Sequence, residues 1–388
     1  VRALRTACFA RWADLRRRLP HGIQDALTHL PTSAAGSTPA LCAERCWHSW
    51  SLGQGMHRPL EAITSQPPAF GARLASQAAL CPPWPHFVAE SPGGRVLGGA
   101  CTAIAPGGVV LADASPHHWV PVERHRAVVN SLWAPPPRRL PGTSALVGAS
   151  GHRNYYHWMF DMIPRIELIR AAGRAEGIDR WILPQTPLGA AGRILELCGI
   201  DPSRIHWHGR GAHVECERLV VSSPPAPLGG ATARSVAFLR ERCIPRELRD
   251  RPDARRRLFL ARKATRRVAN MDAIEPVLRK HGVEVVATEG LSFDEQVRMF
   301  AGASLLVGAH GAGLTNAIFM PAGSALVEVV PSWYAVACYL VMANEAGLRY
   351  RVIEGREAGG SGGDPHRDLA IDPAELDAQL GAATAAGA

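Results

Sequence analysis

The chain has 388 residues, 47% hydrophobic and 20% charged, which suits two cored domains and excludes a largely disordered polymer. Nine cysteines are scattered without a CxxC pair, and no apolar run reaches the roughly 18 residues that span a bilayer; a disulfide framework and a membrane span are both unexpected, and a reducing, cytoplasmic compartment is expected. The net charge is +9, and Lys263 and Lys280 are the only lysines. Arginine suits bidentate phosphate binding, and no nucleic-acid motif accompanies it, so the expected anionic partner is a nucleotide diphosphate, an acidic glycan or a membrane surface, and not a nucleic acid.

Residues 1–84 read as an irregular N-terminal extension. Its start, "VRALRTACFARWADLRRRLP", reads as a loosely ordered leader, with a basic amphipathic helix in peripheral contact with a membrane as the alternative. No apolar segment with a small-residue cleavage site follows, which speaks against a secretory signal. Cys42 and Cys46 lie near His48, but no second ligand pair follows at finger spacing, so no metal site is expected. Residues 85–228 read as a first α/β domain. "RVLGGACTAIAPGGVVLADAS" is a small hairpin with glycine turns, and "PPPRRLPG" (135–142) is a loop. Then strands and helices alternate: "ALVGAS", a helix from about Tyr155, "RWILP", a helix near 188–198, "RIHWH" and "RLVVSS".

Residues 229–355 read as a second α/β domain after the break "PPAPLGG" (224–230). A bridging helix, "ATARSVAFLRERC", leads to the strand "RLFLAR", which ends at Arg262. A helix over about 271–281 contains Pro276, which is expected to kink it or shorten its start. "VEVVA" is a strand. "LSFDEQVRMFAGA" is a helix with Ser292 and Glu295 as a capping box. "SLLVGA" leads through His310 and a glycine turn to a short helix ended by Pro321 and Gly323, and "ALVEVVP" is the next strand. This is a doubly wound parallel sheet. In the Gly/Ala-rich tail, 356–388, Asp372, Pro373 and Glu375 open a closing helix.

Three stretches carry candidate chemistry. In "GHRNYYHWMFDMIPR" (151–165), Asn154, His157, Asp161 and Pro164 share a helical face. His157 and Asp161 are i and i+4, and a carboxylate beside an imidazole makes a general base; the alternative is a structural contact under an aromatic lid. In "AHGAGLTN", Gly311 and Gly313 let backbone approach an anion, and the free N–H groups of a helix start favour a phosphate there; the alternative is a turn that needs glycine for steric reasons. Neither the GxGxxG fingerprint nor a Walker A loop fits this spacing. In "ARKATRRVAN", Arg262, Arg266 and Arg267 fall near the same strand ends. No D-x-D occurs in the chain, so arginines and a helix N-terminus are expected to carry the phosphate charge, with no metal.

Taken in order, "NYYHWMFDMIPR", "LARKATRRVAN" and "LSFDEQVRMFAGASLLVGAHGAGLTNAIFMPAGSALVEVVP" resemble the family 61 glycosyltransferases, whose bacterial members are often labelled capsular polysaccharide biosynthesis proteins. The resemblance covers about residues 85–355. It implies a GT-B-like architecture, with two Rossmann-like domains facing a cleft. It also implies inverting transfer from a nucleotide sugar to a glycan or lipid-linked saccharide, with no cofactor. On this reading His157 and Asp161 are catalytic. Arg262, Arg266, Arg267, His310, Gly311, Ala312 and Gly313 bind the donor diphosphate. Asn154, Asn270, Thr315, Asn316 and Glu328 contact the nucleoside or sugar or support the site. Glu328 is either an acceptor for ribose hydroxyls or a strand-end carboxylate capping a loop. The family usually has Asn-Glu where this chain has Asn270-Met271. A sugar-nucleotide epimerase of related fold, which acts without an acceptor, and a non-catalytic assembly partner are the alternatives; a hydride-transferring Rossmann enzyme fails on the glycine spacing.

Overall fold

The computed structural model describes residues 31, 33–55, 64–66, 68–79, 84–117, 125–129, 134–227, 229–249, 255–358 and 367–385. The reading of residues 1–20 as a leader or membrane helix lies outside them. No helix among the described residues is long and apolar enough to cross a membrane. The chain divides into two units, Val1–Gly55 with Trp84–Gly229, and Met56–Pro83 with Gly230–Ala388.

The described residues of the segment expected to be irregular are structured and serve both units. It lays down strands β1 (Ser33–Ala35), β2 (His48–Gly55) and β3 (Thr64–Gln66), with helices Thr38–Glu44 and Pro68–Ala79. β1 and β2 join the first unit's sheet and β3 joins the second's. The sequence hides this because the strands are short and polar and are recruited by edges of sheets built elsewhere. The helix Pro68–Ala79 does carry a helical stripe: Phe70, Leu74 and Ala78 are buried at i, i+4 and i+8.

The first unit has β4 (Trp84–Pro92), β5 (Arg95–Leu97), β6 (Thr102–Ala105), β7 (Val109–Leu111), β8 (Arg138–Leu146), β9 (Arg180–Pro184), β10 (Ile205–His208) and β11 (His213–Ser222). Its ten-stranded sheet runs β1-β7-β6-β5-β11-β8-β9-β10, with β4 on β11 and β2 on β4. The expectation of a doubly wound domain holds only for β11-β8-β9-β10, which are parallel. β4, β5 and β6 pair antiparallel with their partners, because tight turns such as Gly98 and Gly107, both at positive φ, return the chain without a crossover helix. Nor is 135–142 all loop: β8 starts at Arg138. Pro141 offers no N–H and Gly142 sits at φ 77. The strand absorbs both at an irregularity in its register with β11, opposite Cys216/Arg218.

The second unit has β12 (Arg256–Leu260), β13 (Glu284–Val286), β14 (Ala303–Ala309), β15 (Ala325–Pro331), β16 (Arg349–Glu357) and β17 (Leu369–Ala370). The order is β13-β12-β14-β15-β16-β17, with β3 also on β16; all pairs are parallel except β16 with β17. Phe259, Leu305, Val307, Val327 and Val329 pack in one core with Ile274 and Leu278 of helix Met271–Lys280 and with Leu376 and Leu380 of helix Pro373–Ala385. The capping box at Ser292 and Glu295 is present on helix Phe293–Ala301. Pro276 neither ends nor shortens its helix, which runs Met271–Lys280. The proline faces solvent, so the carbonyl it leaves without a donor can be hydrated. Helix Cys338–Ala346 and β16, which the pattern reading left unassigned, complete the sheet.

Candidate functional site

In the first unit, the run after β8 does not form one straight helix. Asn154 caps a short helix, Tyr155–His157, by accepting from the Tyr156 N–H at 2.8 Å. A π turn, Trp158–Met162, follows, and the Ile163 N–H reaches Trp158 O at 3.0 Å. Helix Pro164–Ala171 then starts afresh. Pro164 brings no N–H, which is what a π turn inside a helix tolerates and an unbroken α-helix does not.

This turn brings the expected pair together. His157 Nδ1 lies 2.7 Å from Asp161 Oδ2. Asp161 is 1% exposed and His157 24%, so the carboxylate is held under an imidazole that still reaches solvent. The Tyr156 ring meets His157 edge-on at 5.8 Å. Gly151 packs on the other side. A Cβ there would meet His157 Cγ at 2.5 Å, so the imidazole occupies the space that any larger residue would take.

In the second unit, the ends of β12, β14 and β15 gather most of the predicted donor residues. His310 follows β14. Its Nδ1 donates to Glu328 Oε1 at 2.5 Å, and the Tyr350 hydroxyl donates to Glu328 Oε2 at 2.6 Å. Glu328 is fully buried, with both carboxylate oxygens taken by these donors, and braces His310 from within the sheet. Burial, and next the Glu328 charge, hold the Tyr350 phenol protonated well above its usual range. Tyr334 and Tyr339 meet the His310 ring edge-on at 5.5 and 5.3 Å.

Arg262 and Arg266 sit beside this histidine, and neither has a carboxylate within ion-pair distance among the described residues. Arg262 donates to Thr265 O at 2.7 Å. Its guanidinium lies against Gly311, where a Cβ would fall 1.5 Å from Nη1. Arg266 donates to His310 O at 2.6 Å, and its guanidinium covers the Tyr334 ring at 5.3 Å. It is a non-glycine residue at φ 53, a conformation that costs about 1 kcal/mol and is held by those contacts. Burial first, and the Arg266 charge second, lower the Arg262 pKa; two cations packed this way favour an added anion. The turn supplies more donors. Ala312 and Gly313 open a 3-10 helix, Ala312–Phe319, and their N–H groups make no hydrogen bond among the described residues. The steric reading of the glycines also holds, since a Cβ on Gly313 would meet Leu260 at 2.9 Å.

The other residues expected to bind the donor or support the site have partners of their own. Arg267 forms an exposed ion pair with Asp368 at 2.7 Å. Asn270 brackets Ile371 through both its amide groups, a bracing role that needs no carboxylate at position 271. Thr315 is buried against the Tyr339 hydroxyl, and Asn316 donates to Gln296; both hold the turn from behind. The sequence reading missed Tyr334, Tyr339 and Tyr350. The first two lie in "PSWYAVACYLV", where two tyrosines directly after a strand end were the available signal. Tyr350 had none, because its role depends on β16 pairing with β15.

Residues 155–327 match the family described as Glycosyltransferase 61. The chain is 34% identical over 112 residues to the beta-1,2-xylosyltransferase XAX1 of Oryza sativa subsp. japonica, a stretch covering 27% of this chain and 20% of that protein. It is 30% identical over 154 residues to the alpha-1,3-arabinosyltransferase XAT2 of the same plant, covering 36% and 26%. It is 33% identical over 103 residues to the EGF domain-specific O-linked N-acetylglucosamine transferase of Drosophila melanogaster, covering 26% and 20%. The chain thus spans no more than about a quarter of the length of these relatives. The matched segment, 155–327, contains His157, Asp161, Arg262, Arg266 and His310.

Proposed function

We propose that the chain is a glycosyltransferase of GT-B type that moves a sugar, with inversion, from a nucleotide-sugar donor to a hydroxyl of a glycan or lipid-linked saccharide. The observation that carries this is the pair of guanidiniums, Arg262 and Arg266, held without carboxylate partners beside a glycine turn with spare N–H donors. That arrangement suits a diphosphate without a bridging metal. The names of the relatives speak for transfer rather than epimerisation and make a pentose the first donor sugar to test. Bacterial polysaccharide assembly, of the capsular type, at the cytoplasmic face of a membrane is the setting proposed.

In the proposed reaction the acceptor O–H gives its proton to His157 Nε2, because Nδ1 is committed to Asp161. The acceptor oxygen forms a bond to the anomeric carbon as the bond from that carbon to the phosphate oxygen breaks. The electron pair leaves with the nucleoside diphosphate. Arg262, Arg266 and the turn N–H groups meet the charge that grows on it, and His310 stands at the same strand ends, oriented by Glu328. The test is a panel of nucleotide sugars screened by thermal shift and then by transfer to oligosaccharides. A true donor at a hundredfold excess over Kd adds about 2.7 kcal/mol of stability. No stabilisation by any nucleoside diphosphate or its sugar would remove the reading.

A further inference from the structure

Beneath the His157–Asp161 pair lies a side chain that the mechanism above does not use. Arg165 is completely buried. Its Nε donates to Asp161 O at 2.9 Å, and its Nη1 donates to Ala114 O at 2.8 Å and to Ser222 O at 2.9 Å. Its Nη2 is buried without a hydrogen-bond partner. No carboxylate pairs with it among the described residues. A buried guanidinium bonded to backbone carbonyls alone is a costly arrangement for stability. Burial lowers its pKa to about 10, and the nearby Asp161 charge opposes that fall.

The geometry explains why the arrangement is kept. The π turn, Trp158–Met162, interrupts the regular helical ladder just before Pro164, and Asp161 lies within it. Arg165 donates to the Asp161 carbonyl from its side chain. The same guanidinium reaches the segment after β7 through Ala114 and the end of β11 through Ser222. Asp161 is thereby fixed to the sheet by its own backbone, while its carboxylate is held by His157.

We infer that Arg165 is a positioning residue for the proton-accepting pair: it locks the π turn, through the Asp161 carbonyl, in the register that sets the Asp161 carboxylate under His157. This rests on the proposed role of His157 as the base. A lysine cannot form the fork to three carbonyls from one planar group, so Arg165→Lys keeps the charge and loses the lock.

The experiment uses the full chain with its best donor and acceptor. Arg165→Lys is made alongside Pro164→Ala, which leaves Arg165 in place but adds an N–H that lets a regular α-helical ladder replace the π turn. In both, kcat is expected to fall about tenfold to a hundredfold, as a misplacement of about 1 Å does, with nucleoside diphosphate Kd unchanged. The low-field proton NMR signal of a carboxylate-held His157 Nδ1–H should weaken in both. Neither change should add to the loss in Asp161→Asn, because all act on one group. A folded variant that keeps kcat and the signal, or losses that multiply with Asp161→Asn, overturns the inference. If Arg165→Lys does not melt cooperatively, Pro164→Ala decides. Full transfer by His157→Ala overturns the base assignment itself; an inactive His157→Ala with a fully active Arg165→Lys overturns this inference alone.

Discussion

Each unit holds an imidazole by a carboxylate on Nδ1, but the two pairs are built differently. His157 and Asp161 are four residues apart on one turn, and the histidine is partly exposed. Glu328 lies on β15 and His310 just past the end of the adjacent β14; histidine and carboxylate are 7% and 0% exposed, and Tyr350 supports the carboxylate from β16. The first pair is local and open, which suits the proton exchange proposed for it. The second is enclosed, which suits the proposed part of His310 at the donor. Each site also has one glycine whose missing Cβ is replaced by a functional side chain, Gly151 by His157 and Gly311 by Arg262.

The sharpest way to break this contrast is to remove each group and ask which constant changes. His157→Ala should lower kcat by about 10²- to 10⁴-fold with donor Kd and melting temperature near normal. Asp161→Asn should cost less than this if the carboxylate only orients the ring. A core role for the pair predicts the reverse, lost stability with transfer per folded molecule intact.

Gly151→Ala pushes the His157 ring from its place, and kcat should fall by up to about a hundredfold without a change in Kd for a nucleoside diphosphate. Arg262→Ala acts on the other constant. Loss of a charged hydrogen bond, about 1.5–3 kcal/mol, should raise Kd for UDP, GDP or CDP roughly tenfold to a hundredfold by calorimetry. Unchanged affinities for all three would show that Arg262 does not touch the diphosphate.

The smallest effect is expected from Glu328→Gln. An amide placed between His310 and Tyr350 leaves a buried donor or acceptor unmatched, at about 1–3 kcal/mol. The melting temperature should drop by roughly 2–4 °C per kcal/mol, with only a modest rise in Kd. A large fall in kcat with no thermal shift would mean that the enclosed pair also takes part in proton transfer.

What could be read beforehand follows the range of the interactions. The His157–Asp161 contact is set by helical spacing, and the Ser292 capping box by three residues of sequence; both were visible. The π turn was not, because spacing alone cannot tell four residues of α-helix from a turn widened before Pro164. The parallel sheet of the second unit was legible from its apolar runs. The partner of Glu328 was not, since it depends on the register of β14, β15 and β16. The partners of Arg267 and Asn270 were not legible either, since Asp368 and Ile371 lie about a hundred residues onward. β1 to β3 went unseen because short polar strands acquire meaning only from the edge they join.

The pairing of β3 with β16 sets Thr64 beside Arg351. During synthesis β3 leaves the ribosome while its partner strand is still untranslated. At about 5–20 residues per second that interval is on the order of tens of seconds, during which β3 and the stripe of Phe70, Leu74 and Ala78 have no native surface to cover. The first unit can complete its sheet in that time, since its last strand ends at Ser222. The second closes only when β16 is made and returns to β3. A cut at the apparent boundary near residue 229 would therefore yield a C-terminal fragment whose sheet lacks an edge, and a bacterial expression trial of that fragment should give aggregated protein unless residues 56–83 are supplied with it.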